Sequence, residues 1–121
     1  MSICISGNSN TNNIAFLAYN YFCNHGTHKQ TFKEKEIEVH YCDLSDDNVF
    51  GWCEQVDDNS WLIHIHNALG YEEHFRTLFH EYMHVVQDIY GLKDEGLREH
   101  QAYQIEGIMY KEMCGSLQTV H

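Results

Sequence analysis

The sequence predicts an α+β domain: a small antiparallel or mixed three-stranded sheet packed on two helices that pair antiparallel. Three observations predict it. Apolar and polar residues alternate in short stretches between Ile37 and His66. Apolar residues then recur at helical spacing from about Glu72 to Tyr90, and Gly91 stops the run. A second helical stretch, about Arg98 to Met113, follows after a connection too short for anything but an antiparallel return.

The elements follow in order. Met1 to Asn13 is rich in Ser, Asn and Thr and reads as a loose start, with a helix cap near Thr11 or Asn12. Ile14 to Cys23, with Ala15, Leu17 and Ala18, is a short apolar helix. Asn24 to Lys35 reads as a polar connector. Ile37, Val39 and Tyr41 alternate with Glu38, His40 and Cys42, giving a first strand with one buried face. Val49 to Gln55 and Trp61 to His66 are the second and third strands, and Asp57-Asp58-Asn59 between them signals a hairpin. In the third strand Trp61, Ile63 and Ile65 point to the core, while Leu62, His64 and His66 point away. On the long helix Phe75, Leu78, Phe79, Tyr82, Val86 and Ile89 form the apolar stripe. His80, His84, Gln87 and Asp88 fall on the opposite side. On the last helix Glu99, Ala102, Tyr103, Glu106, Tyr110 and Met113 share a face.

Composition sets bounds. A chain of 121 residues, 43% hydrophobic, fits one domain spanning 1–121 with a modest core. The formal charge of −11 leaves no basic stripe for nucleic-acid phosphates or an anionic membrane. Five cysteines, an odd number without a C-x-x-C pair, fit reduced thiols and a cytoplasmic location. No stretch reads as a signal peptide or membrane span.

The chemistry concentrates at His80-Glu81-Tyr82-Met83-His84, an H-E-x-x-H sequence inside the long helix. Two histidines four apart lie on one helix face, one turn from each other, where a single metal ion can take both imidazoles. The adjacent glutamate can then act on a water held by the metal, the pattern of zinc-dependent peptide hydrolysis. Catalytic zinc takes three protein ligands and keeps one position open. An antiparallel partner at the depth of His84 falls in the first turns of the last helix, which favours Glu99 as third ligand. Glu106 shares that face about 10 Å further along the axis, and His100 is a further alternative.

His80-Glu81-x-x-His84 followed by Glu99-x-x-Ala102 resembles the gluzincin branch of the zincin metallopeptidases, most of all its small single-domain members, the minigluzincins. The resemblance covers about Trp61 to Tyr110. It implies a zincin-like fold, zinc held by His80, His84 and Glu99, Glu81 as general base, and a peptide or protein substrate. It also implies a sheet edge strand that aligns an extended substrate, a role Trp61 to His66 could fill. Tyr103, on the appropriate helix face, is the candidate catalytic donor to the oxyanion, with His64 and His66 as alternatives. Asp88 is a candidate partner of His84. The competing readings are a zinc-binding module that does not cut, and a metal-free domain with a chance motif.

Overall fold

A computed structural model describes residues 3–26 and 29–118, with side chains to residue 115. The α+β class holds, with four strands where the sequence reading has three. The order along the chain is β1 (Ile3–Ser6), α1 (Ser9–His25), α2 (Lys29–Lys33), β2 (Glu36–Cys42), β3 (Gly51–Asp57), β4 (Ser60–His66), α3 (Tyr71–Tyr90) and α4 (Glu95–Gln118). The sheet is mixed, in the order β1-β2-β4-β3. β1 and β4 both run parallel to β2, and β3 runs antiparallel to β4.

The added strand, β1, lies in the segment expected to be loose. It has only four residues, but Ile3 and Ile5 alternate with Cys4 and Ser6, and they register on Ile37 and Val39 of β2. Helix α1 starts earlier than expected, because Asn8 caps it by accepting from the Thr11 N–H at 2.9 Å. Its buried residues Ala15, Ala18, Tyr19, Phe22 and Cys23 form one stripe at helical spacing. The expected polar connector contains the single-turn helix α2, formed around buried Phe32.

The β3–β4 hairpin forms as the turn residues require, with Asp57 Oδ1 accepting from the Asn59 N–H at 2.8 Å. In β4, Trp61, Ile63 and Ile65 are buried, whereas Leu62, His64 and His66 face the side of the sheet that no described helix covers. β4 lies between β2 and β3, so the edge strand beside the helices is β3, not the Trp61–His66 strand. The core joins the inner face of the sheet to α1, α3 and α4.

Helix α3 is the axis of the molecule. Every residue from His74 to Gln87 except Arg76 is buried. Gly91 ends the helix with φ 73°, donating to Asp88 O while the Leu92 N–H donates to Gln87 O, a left-handed closure that suits glycine. Asp94 then caps α4 through the Leu97 N–H at 3.0 Å. The turn is clamped to the sheet: Asp88 accepts from Trp61 Nε1 and from Arg98 Nη1, both at 2.9 Å. Asp88 is therefore the link between β4 and the start of α4, where the sequence suggested a partner for His84.

Gly51 lets β3 lie close to α3. A Cβ there would meet Thr77 Cγ2 and His64 O, each at 2.9 Å. Thr77 is three residues before His80, so this close approach brings the edge strand to the histidines.

Candidate metal centre

The polar side of α3 is not surface. His74, Thr77, His80, Glu81, His84 and Gln87 are all buried polar residues, and such residues need partners. Those around His80 and His84 come from α3 itself and from α4. His80 Nε2 lies 3.0 Å from Glu99 Oε2, and His84 Nε2 lies 3.4 Å from Glu99 Oε1. The two expected histidines and the expected third ligand thus meet at one point. Glu106 is also present, but on the other side of the ring: its Oε1 is 2.9 Å from His80 Nδ1. Arg76 Nη1 stands 3.8 Å from the second Glu106 oxygen. His100 is exposed and has no contact with the cluster among the described residues.

Hydrogen bonds fix which histidine nitrogens are available. The Gln87 amide nitrogen donates to Arg98 O and to Gln101 Oε1, both at 2.9 Å. Its carbonyl oxygen is therefore the atom 2.7 Å from His84 Nδ1, so Nδ1 carries the proton and Nε2 has a bare lone pair. His80 has a carboxylate at each ring nitrogen, Glu106 at Nδ1 and Glu99 at Nε2. A proton or a metal cation stands between Nε2 and Glu99, while the bare Nε2 of His84 faces the same carboxylate.

The donor set fits a tetrahedral metal ion. Ligands about 2.0–2.1 Å from one ion lie about 3.3 Å from each other, close to the observed 3.0 and 3.4 Å separations. Nitrogen and oxygen donors of this kind could hold a divalent metal ion, and each imidazole has the second hydrogen-bond partner that ligating histidines require. The ligand atoms of His80, Glu81 and His84 also lie within 4.8 Å of one another.

Charge at the site is shaped by burial. Burial lowers His80, but the Glu106 hydrogen bond and the charges of Glu81, Glu99 and Glu106 outweigh it and raise its pKa. Burial lowers His84, helped by His80 and opposed by the Gln87 hydrogen bond. Burial also pushes the Glu81 carboxyl up to about 7; His80 opposes this, while Glu99 and Glu106 add to it. Glu81 is only 4% exposed, and its Oε1 has no hydrogen-bond partner among the described residues.

These groups line a cleft of about 680 Å³ between β3 and α4. Val49 and Phe50 form one lip and Tyr103 the other. Tyr103 packs its ring edge-on to His80 at 4.7 Å yet is 63% exposed, so it is a cleft residue rather than core. His64 and His66 are not in the cleft: they lie on the opposite face of the sheet, His64 stacked on Trp52 and His66 accepting from the Leu44 N–H. The sheet edge beside the cleft is open. His66 donates to Phe50 O, so the hydrogen-bonded pairs with β4 fall at Phe50, Trp52 and Glu54. The backbone groups of Gly51 and Cys53 are thereby left facing outward.

The sequence reading did not assign Gln87 or Glu106 as partners of the histidines. Gln87 follows His84 by three residues and Glu106 follows Glu99 by seven, spacings that keep each on the side of the histidine cluster. The Asp88–Arg98 clamp left no sequence signal, because it joins residues across the turn and a tryptophan on the sheet. Compared with known proteins, the chain matches no protein-family model, no curated protein and no solved structure. Among the described residues, no helix is long and apolar enough to cross a membrane.

Proposed function

We propose that the protein is a zinc-dependent metalloendopeptidase of the gluzincin type, with a zincin-like arrangement of its sheet and two main helices. The observation that carries this reading is the meeting of His80 Nε2, His84 Nε2 and the Glu99 carboxylate beside a buried, unpartnered Glu81 oxygen. His80, His84 and Glu99 hold the ion, and Glu106 and Gln87 orient the two imidazoles. Zinc in such a site supplies a Lewis acid that brings the pKa of its water toward about 7 and polarises the scissile carbonyl.

Glu81 accepts the proton of the attacking water and delivers it to the leaving amine. Burial raises the pKa of this carboxyl in the metal-free chain, which makes it a stronger base than a solvated glutamate. Tyr103, exposed at the rim of the cleft against His80, is the nearest phenol to serve as donor to the oxyanion. The open edge of β3 offers an extended peptide backbone partners at Gly51 and Cys53.

The test is cleavage of an unfolded protein substrate by the zinc-loaded chain. The reading expects cleavage that stops with a chelator, and loss of cleavage in Glu81→Gln with zinc still bound. Tight zinc with no cleavage of any unfolded substrate would leave a binding module in its place.

A further inference from the structure

Most of the charged groups that line the cleft are engaged within the fold. Glu99 faces both histidines, and Glu106 holds His80 Nδ1 and stands beside Arg76. Arg98 pairs with Asp88 at 2.9 Å and donates to Leu92 O at 2.8 Å, so its charge is matched inside the protein. Glu81 is buried beside the two histidines. Glu95 also lines the cleft, yet it is exposed and has no hydrogen-bond or ion-pair partner among the described residues. The first turn of a helix accommodates a carboxylate, so this charge stands there without a cation of the chain's own.

Glu95 has a defined place relative to the metal centre. It precedes Glu99 by four residues on α4, which puts it on the same face, about 6 Å along the axis. Arg98 joins this end of α4 to Asp88, which also accepts from Trp61, and Trp61 is the register partner of Gln55 near the end of β3. Glu95 therefore stands toward the later residues of β3, while Val49 and Phe50 line the opposite end with apolar side chains. An extended peptide laid along β3 advances about 3.3 Å per residue. The step from Glu99 to Glu95 thus spans about two peptide residues, and side chains two apart in a strand point the same way.

We propose that Glu95 is a specificity-determining residue that selects a lysine or arginine side chain about two residues from the scissile bond. The proposal rests on the peptidase reading. A lysine or arginine stem is long enough to lie along the cleft wall and set its cation against Glu95. The overall charge of −11 adds attraction for a basic segment. An acidic side chain in the same place faces the carboxylates of Glu95 and Glu99. Because Glu95 is exposed, the selection is modest: an exposed ion pair corresponds to a preference of about three- to fivefold, and salt screens it.

The experiment is digestion of a degenerate peptide library by the zinc-loaded full chain to low conversion, with the products sequenced by mass spectrometry. Ratios are compared only within one digest, so a change in total activity does not enter. In the parent, lysine and arginine are expected to be enriched about three- to fivefold over glutamine at a position about two residues from the cut, with aspartate and glutamate depleted. Glu95→Gln is expected to remove this preference, and Glu95→Lys to turn it toward acidic residues at the same position. High salt is expected to weaken the preference of the parent. Cleavage by the parent without a basic preference at that distance, or a preference unchanged in both variants, overturns the proposal and leaves the peptidase reading in place. No cleavage of any library member by a parent chain that holds zinc overturns both.

Discussion

Replacing Gln87 by Leu tests the construction of the metal centre from outside its ligand set. Gln87 is 2% exposed and touches three groups: His84 Nδ1 at 2.7 Å, Arg98 O at 2.9 Å and Gln101 Oε1 at 2.9 Å. Leucine fills much the same volume but accepts no hydrogen bond. The buried Nδ1–H of His84 then has no partner, which costs about 1–3 kcal/mol of stability. Gln101 is exposed and turns to water. Freed of its partner, the imidazole also loses its fixed tautomer and orientation. Loss of such an outer partner weakens metal binding about 10–100-fold, or about 1.4–2.8 kcal/mol. The assay is competition against a chromophoric zinc chelator, with urea denaturation of the same samples. Gln87→Glu is the control: it keeps an acceptor for Nδ1–H but presents an oxygen to Arg98 O and Gln101 Oε1. It is expected to lose stability while holding zinc more tightly than the leucine variant. A folded Gln87→Leu protein with zinc affinity within about twofold of the parent would refute the assignment of Gln87 as the residue that orients His84.

Three other outcomes follow from the same structure. Glu81 is neutral when buried at pH 5 and must ionise at pH 8, and its raised folded pKa means that stability is lost as pH rises from 4.5 through about 7. In metal-free protein, Glu81→Gln is therefore expected to add about 3 kcal/mol at pH 8 and little at pH 5; equal effects at both pH values would contradict the burial argument. His74 has the opposite sign: burial lowers it from 6.5 to about 4, so the unfolded chain takes the proton first and stability falls as pH drops through that window. His74→Leu should remove about 3 kcal/mol of this acid sensitivity, read as a flatter unfolding midpoint between those pH values, although it also breaks the 2.6 Å contact with Tyr41. Gly51→Ala forces β3 away from Thr77 and is expected to cost about 1–3 kcal/mol, with reduced zinc affinity because the cleft wall shifts; an unchanged melting temperature would show that β3 does not rest on α3 there.

Parts of this structure were open to reading from the sequence, for definable reasons. Helix α3 was legible because its apolar stripe is long and Gly91 ends it. The faces of β4 were legible because Trp61, Ile63 and Ile65 alternate strictly with polar or half-buried residues. The meeting of Glu99 with both histidines followed from the short turn, since an antiparallel return fixes depth along the helix axis. β1 was hidden because four residues in a Ser- and Asn-rich stretch carry too little periodicity, and what makes them a strand is pairing with β2, distant in sequence. The edge position of β3 was hidden for a related reason: strand order depends on β1 and β2 adding to the far side of β4. Tyr103, named from the sequence as the candidate donor, shares its helix with buried Ala102 and Met113, and α4 leaves it exposed at the rim of the cleft.

Zinc per chain tests the central claim most directly. The sample is washed with a mild chelator, which strips loosely held surface metal, and metal is counted by elemental mass spectrometry. Parent protein is measured beside His84→Ala, Glu99→Ala and Glu106→Ala, with far-ultraviolet circular dichroism to confirm that each is folded. The account predicts one zinc in the parent, none in His84→Ala or Glu99→Ala, and weakened but measurable zinc in Glu106→Ala. Equal zinc in the parent and His84→Ala, or none in the parent, would contradict a metal centre at His80, His84 and Glu99.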